Sequence, residues 1–383
     1  MTETPGALEL LAHFSARTGA MLGDLEALVT RESPSSDAAA VTALARWVHA
    51  RLGESGVPSE IVAFEGRGDG VLARLGPERG GTLVLGHLDT VWPAGTLARQ
   101  PFHAGGNLAT GPGVFDMKGG VAVVLAVLAA ACEGAFAPAR GVSLLLTSDE
   151  EVGSGASRER ILEEARRRER VFVLEPSGDG GAAKVARKGV GLAVARFHGV
   201  PAHSGLEPEK GASALLEMAR FALRADALAD RDAGTTVIPT LASAGSARNV
   251  VPAAAEVTVD FRFWTAAEGE RICEGLKAFA PSDGRAGAEI SAVVSRPPME
   301  PTPESLALHR TARALAAALG FGLAAARVGG ASDGNLTAAA GIPTLDGLGP
   351  RGGGAHARGE HVELDDLPRR AALVAALLAE VEA

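Results

Sequence analysis

The sequence predicts an α/β fold, a larger domain with a mixed, mostly parallel sheet interrupted by a smaller α+β domain. Three observations lead to it. Over residues 1–187, short apolar runs alternate with helical patterns, the arrangement of a parallel sheet with crossover helices. Over residues 188–298 the pattern changes to strands of alternating polarity around an amphipathic helix. Over residues 299–383 helical spacing returns, with a glycine-rich segment between two helices. The middle piece therefore reads as an insertion into a discontinuous first domain.

The elements follow in order. Leu10 to Val29 and Asp37 to Leu52 have helical apolar spacing. Thr82 to Leu85 is an apolar strand ending at Gly86, and Lys118 to Cys132 is a helix entered through glycines. Val142 to Leu146 is a strand ending at Thr147, Arg158 to Arg168 a charged exposed helix, and Val171 to Leu174 a buried strand. In the middle, Lys184 to Gly199 and Ala255 to Phe263 alternate as strands, Gly211 to Leu228 is an amphipathic helix, and Glu289 to Ser295 is a further strand closed by Arg296-Pro297-Pro298. Helices over Glu304 to Leu319 and Leu364 to Ala383 complete the chain.

Composition narrows the function. With 46% hydrophobic and 22% charged residues, the 383-residue chain is neither disordered nor short of core. Its net charge of −9 argues against a basic nucleic-acid-binding surface. The most apolar stretch, Val121 to Cys132, falls short of the ~20 residues that span a bilayer and reads as a buried helix. The N-terminus lacks a basic segment followed by an apolar run, so no signal peptide is expected. Cys132 and Cys273 form neither a zinc-type spacing nor a disulfide framework. The expectation is a cytoplasmic protein without nucleic-acid or membrane partners. With no tyrosine in the chain, no phenol serves as an acid.

Three predicted strands end at polar groups: His87 and Asp89, Glu150 and Glu151, and Glu175. Sites in open α/β sheets lie beyond the carboxyl ends of the strands. In G86-H-L-D-T-V91, His87 and Asp89 share a face if extended, and a ligating imidazole needs an acceptor on its other nitrogen. A surface turn would look the same. In G111-P-G-V-F-D-M-K-G-G120, Asp116 lies between two glycine turns, where a helix N-cap is the plainer reading. A phosphate loop is disfavoured, since the GxxxxGK[ST] spacing is absent. T147-S-D-E-E-V-G-S154 sets three acids in a row at a strand end. Burying them is costly without a cation, and neighbouring glutamates allow one to bind metal while the other handles protons. Glu175 ends a buried strand, with Pro176 keeping it extended. G349-P-R-G-G-G-A-H-A-R-G-E-H361 offers His356 and His361, one of which would complete a set of two histidines and three carboxylates. Such a set suits Zn²⁺, with Co²⁺ or Mn²⁺ as weaker alternatives.

Taken together, GHLDTV, GPGVFDMKGG, SDEEVGS, LEPS and the late Gly-Gly-Ala-His resemble the dinuclear zinc aminoacylase/carboxypeptidase family over nearly the whole chain. That family includes glutamate carboxypeptidase, acetylornithine deacetylase and succinyl-diaminopimelate desuccinylase. The resemblance implies two Zn²⁺ per subunit and a homodimer formed through the inserted domain. It implies His87 and Glu175 on one zinc, Glu151 and His356 on the other, and Asp116 bridging both. Asp89 would hold the His87 ring, and Glu150 would be the general base toward a di-zinc-bound hydroxide. His361 falls where the family varies and is expected beside the site or on the surface. G199-V-P-A-H-S-G205 resembles the segment whose histidine stabilises the oxyanion in the partner's active site, which points to His203. Asn249, Arg262 and Arg296 match positions that bind the substrate's free carboxylate. Gly329-Gly-Ala-Ser-Asp-Gly-Asn335 resembles a loop near the substrate, with no role for Asp333. DTVWPAGTL is most similar to the glutamate carboxypeptidase branch, so release of an amino acid with a free carboxylate is expected. The alternatives are an N-acyl-amino-acid deacylase or dipeptidase of the same family, and a non-catalytic amino-acid or metal-binding protein on the same fold.

Overall fold

The structure, a computed structural model, describes residues 6–380. The chain divides into two compact units. One comprises residues up to Ala186, Pro301–Val328 and those from Ser332; the other comprises Arg187–Glu300 with Gly329–Ala331.

The larger unit is built on a six-stranded sheet in the order Ser59–Val62, Gly70–Leu75, Val142–Thr147, Thr82–His87, Arg170–Val173, Thr344–Leu345. Gly70–Leu75 pairs antiparallel with both of its neighbours, and the remaining three pairings are parallel. Thr82–His87 and Val142–Thr147 are buried at every position, as strands covered on both faces must be. The parallel register sets His87 opposite Thr147 and Leu85 opposite Val173. Three chain segments therefore leave the sheet at one edge.

The Gly119–Cys132 helix buries Val121, Val123, Val124, Val127 and Leu128 and packs against the Thr18–Val29 and Asp366–Ala379 helices. It starts close to the sheet because Gly120 has no side chain: a Cβ there would lie 2.0 Å from the Leu174 carbonyl oxygen. Asp37 caps the Ala38–Glu54 helix, accepting from the Ala40 amide at 3.0 Å.

The smaller unit is an antiparallel sheet in the order Thr236–Ala244, Ala254–Phe263, Gly189–His198, Gly287–Arg296. The helices Ala214–Asp226 and Ala266–Lys277 cover one face. In Ala254–Phe263, Ala255, Val257, Val259, Phe261 and Phe263 point into a core shared with Phe197, Phe221, Ile272 and Leu276.

Several elements differ from the sequence expectation. Leu10 to Val29 is two helices, Ala7–Ser15 and Thr18–Val29, broken at Ala16-Arg17 although the apolar spacing runs on. Lys184 to Gly199 is two strands, Ala183–Arg187 and Gly189–His198. The Ser59–Val62, Gly70–Leu75 and Thr236–Ala244 strands and the Ala266–Lys277 helix were not expected. Thr236–Ala244 is a largely exposed edge strand with an irregularity after Pro239, so it shows no alternation. Ala266–Lys277 carries two glycines, one of them, Gly269, buried against Phe263. The C-terminal helix is Asp366–Ala379; the expected extension over 381–383 lies outside the described residues.

Candidate metal centre

Six side chains of the larger unit converge at the sheet edge. His87 is the last residue of its strand and is 2% exposed. Glu150 and Glu151 sit in the short helical turn that follows Val142–Thr147, and Glu175 follows Arg170–Val173. Asp116 lies in the turn before the Gly119–Cys132 helix, and its peptide to Met117 is cis. Gly113 opens this turn at φ +72°, a conformation that favours glycine, and a Cβ there would meet the Thr90 methyl at 2.6 Å. His356 is reached through the glycine-rich return segment, which is tied to the sheet edge by the Gly349 amide donating to the Glu175 carbonyl at 2.9 Å.

The distances define two half-sites. His87 Nε2 lies 3.4 Å from Asp116 Oδ1 and 3.3 Å from Glu175 Oε1. His356 Nε2 lies 3.2 Å from Asp116 Oδ2 and 3.3 Å from Glu151 Oε2. Each imidazole thus faces its own oxygen of one carboxylate. A cation held tetrahedrally at ~2.0–2.1 Å from its donors separates them by about 3.3–3.4 Å. Ligand atoms of His87, Asp116 and Glu151 lie within 4.8 Å of one another, and so do those of His87, Glu150 and Glu175. His87 Nε2, Asp116 Oδ1 and Glu151 Oε1 are buried without a hydrogen-bond partner. Unsatisfied buried donors and acceptors are costly, and a cation would satisfy all three. The residues present therefore fit a pair of divalent ions bound by nitrogen and oxygen.

Electrostatics agrees. Burial alone would lower the His87 pKa, yet Asp116, Asp89 and Glu175 raise it well above its ordinary value. Asp116 and Glu151 raise His356 to about 10. Burial pushes Glu151 up; for Asp116 burial pushes the same way, but His356 and His87 outweigh it and hold the carboxyl far below its ordinary range. Without metal, protons on the two imidazoles supply the positive charge that the carboxylates require.

Asp89 is fully buried and joins two strand ends. Its main-chain carbonyl, rather than its carboxylate, lies at hydrogen-bond distance from His87 Nδ1, at 2.9 Å against 3.5 Å. The carboxylate instead accepts the Ser35 hydroxyl at 2.7 Å and the amides of Glu150 and Glu151 at 3.2 Å each. It thereby holds the turn that bears both glutamates.

Sequence reasoning missed Glu360. This carboxylate, 2% exposed, accepts from the amides of Gly113, Phe115 and Asp116 at 2.9 Å each and from Trp92 Nε1 at 2.7 Å. It clamps the turn that presents Asp116. No local pattern marks it, since it is a polar residue beside a histidine in a glycine-rich run. Its neighbour His361 bonds the Gly359 carbonyl and belongs to neither ligand group. Asp333 is buried and accepts from Thr147 Oγ1 at 3.2 Å and from the Ser154 hydroxyl, pinning the far end of the Glu150–Glu151 turn. Lys118 is buried and donates to the Arg31 carbonyl at 2.8 Å; burial lowers it to about 7.

The other four expected residues belong to the smaller unit. His203 is exposed, and its Nδ1 accepts from the amides of Gly205 and Leu206 at 3.1 Å each. In the neutral ring this leaves the proton on Nε2. Asn249 is exposed, with its carbonyl accepting from Ser204. Arg262 directs Nε and Nη2 at the Asp260 carboxylate, at 2.8 and 2.9 Å, and Arg296 is 6% exposed.

A model of peptidase family M20/M25/M40 matches residues 83–380. The chain is similar to carboxypeptidase G2 of Pseudomonas sp. (strain RS-16), 30% identical over 373 residues that cover 95% of this chain and 90% of that protein. It is similar to succinyl-diaminopimelate desuccinylase of Methylococcus capsulatus, 30% identical over 373 residues, covering 92% and 96%. Among solved structures it resembles aminopeptidase PepT from Bacillus cereus, with a TM-score of 0.79 at 22% identity, covering 95% of this chain and 98% of that one.

Two outcomes are expected of this geometry. Glu360→Ala leaves four donors without their acceptor and lowers zinc affinity by ~10–100-fold, with Glu360→Gln intermediate. Competition against a chromophoric chelator, on protein shown by circular dichroism to be folded, reads this. Metal uptake must also displace imidazole protons. The His356 pKa is raised from 6.5 to about 10, so its proton stabilises the metal-free fold fully below pH 6.5, and this contribution is lost as pH rises through about 10. Zinc affinity should therefore climb with pH across that range. At pH 7.5 about one proton should leave per zinc bound, giving calorimetric heats that depend on the buffer's ionisation enthalpy. Buffer-independent heats would contradict this.

Proposed function

Because the chain belongs to peptidase family M20/M25/M40 and is a metal-dependent hydrolase, we propose that it cleaves an amide bond to release an amino acid with a free carboxylate, using two zinc ions. The observation that supports this best is the pairing of His87 and His356 with opposite oxygens of Asp116. In this reading Glu175 completes the His87 half-site and Glu151 the His356 half-site. Zn²⁺ suits the donor set, and Co²⁺ or Mn²⁺ would also enter it. A bound pair of such ions supplies Lewis acidity that brings a water's pKa toward ~7 and offsets charge on a carbonyl oxygen.

The chain's own residues do the rest. Glu150 is not needed to complete either half-site, yet its carboxylate is within 4.8 Å of ligand atoms of His87 and Glu175. There it accepts the proton of the attacking water and returns it to the leaving amine nitrogen. The acyl carbon gains the water oxygen and loses the amine, so atoms and protons balance. Asp89 fixes the Glu150 backbone during both transfers. His203, with Nδ1 already accepting two amides, is assigned as an Nε2–H donor to the oxyanion developing in the partner subunit's site. Asn249, Arg262 and Arg296 are assigned to the substrate carboxylate, for which guanidinium groups provide paired donors. We further read the enzyme as a cytoplasmic homodimer assembled through the smaller unit; both cysteines are unpaired, in keeping with a reducing compartment.

The test is amine release from a panel of peptides and N-acyl amino acids by zinc-loaded protein, with Glu150→Gln alongside. Release should favour one class of amino acid. The variant should retain its zinc while kcat falls by about 10²–10⁴-fold. Near-normal turnover in Glu150→Gln would overturn the general-base assignment, and stoichiometric binding without turnover in the wild type would favour a binding protein.

A further inference from the structure

Shortly past Asp89 the chain places a tryptophan within reach of a second anchor of the metal centre. Trp92 is half-buried, and its Nε1 donates to Glu360 Oε2 at 2.7 Å. We infer that Trp92 is a positioning residue: acting through Glu360, it fixes the turn that presents Asp116 and so sets both half-sites at once. The inference rests on the two-ion reading of the centre above and adds a residue on which that centre depends.

The argument starts from the donors on Glu360. Oε1 accepts the amides of Phe115 and Asp116, and Oε2 accepts the Gly113 amide and the Trp92 indole. The last torsion of a glutamate is broad, so donors decide the plane of its carboxylate. The three amides belong to one turn and fix the carboxylate only relative to that turn. The indole fixes it relative to the strand end that bears His87. It is the one side-chain donor of the four and makes the shortest contact.

Trp92 is itself held on both sides. Before it, the Thr90 amide donates to the Ser33 carbonyl at 2.8 Å, and the Thr90 carbonyl accepts from the Ser35 amide at 3.1 Å. After it, the amides of Gly95 and Leu97 donate to the two oxygens of Glu32 at 2.7 and 2.8 Å. An indole carries its N–H on a rigid ring with two torsions, so an anchored backbone delivers that donor to a narrow position. Residues 87–92 therefore serve the centre in three ways. His87 faces Asp116 and Glu175, Asp89 holds the turn bearing Glu150 and Glu151, and Trp92 holds Asp116 through Glu360. Because Asp116 faces His87 with one oxygen and His356 with the other, a shift of its turn is felt in both half-sites.

The test is Trp92→Phe, which keeps an aromatic ring and removes the N–H. Zinc titration against a chromophoric chelator should show both ions held about 10-fold more weakly, the low end for outer hydrogen-bond partners of metal ligands. Weakening of one ion alone would mean that Trp92 only supports the strand end of His87. That result, or unchanged affinity for both ions, would overturn the inference. Adding Trp92→Phe to Glu360→Ala should lower affinity no further, whereas additive losses would rule out action through Glu360. Hydrogen exchange on metal-free protein separates this inference from the two-ion reading. The amides of Gly113, Phe115 and Asp116 should exchange ~10-fold faster in Trp92→Phe, while those of Glu150 and Glu151, held by Asp89, keep their rates. If the wild type binds fewer than two ions, the two-ion reading fails and exchange still decides the role of Trp92. Unchanged rates in the Asp116 turn, or equal acceleration in both turns, would overturn it.

Discussion

The larger unit is organised around one carboxylate between two imidazoles. Asp116 offers one oxygen to His87 and the other to His356, with Glu175 and Glu151 closing the two sides. Buried carboxylates repel one another, and such a cluster persists only if positive charge lies among them. In the metal-free chain the carboxylates raise the pKa of both imidazoles, whose protons then meet this demand, and divalent ions would meet it in their place. The fold's other features at the sheet edge serve this requirement. The parallel register brings three strand ends level, Gly120 lets the helix after Asp116 start against the sheet, and the Gly349 tie brings the segment that bears His356 to the edge.

Holding like charges close also requires restraint from behind. Asp89 and Glu360 supply it in the same way, as buried carboxylates that accept backbone amides. Asp89 fixes the Glu150–Glu151 turn, Glu360 fixes the turn of Asp116, and Asp333 anchors the end of the former through Ser154. Several contacts of the site thus depend on main-chain positions set by acids that themselves bind no metal in our reading. Geometry fixed in this way limits the reorganisation a reaction would require.

The sequence made some parts of this legible and hid others. His87, Glu150, Glu151 and Glu175 stand at strand ends, where an apolar run stops at an acid or a histidine, and that pattern is local. Asp116 announced itself by glycines on both sides. Glu360 left no such trace, because three of its four partners are backbone amides about 245 residues earlier in the chain, which no side-chain motif records. The same holds for Asp89. The spacing to His87 suggested a carboxylate–imidazole contact, whereas the imidazole faces the carbonyl more closely and the carboxylate serves the next strand end. The Thr236–Ala244 strand was hidden by its exposure at a sheet edge, and the Ala266–Lys277 helix by glycines that low helix propensity would exclude, although Gly269 is there to admit Phe263.

The measurement closest to the central claim is metal content per chain in the wild type and in three single variants. Elemental analysis after zinc loading and gel filtration should give two ions for the wild type, one each for Glu175→Ala and His356→Ala, and none retained by Asp116→Ala. A wild type that holds a single ion, or an Asp116→Ala protein that still holds two, would contradict an arrangement in which one carboxylate joins two half-sites.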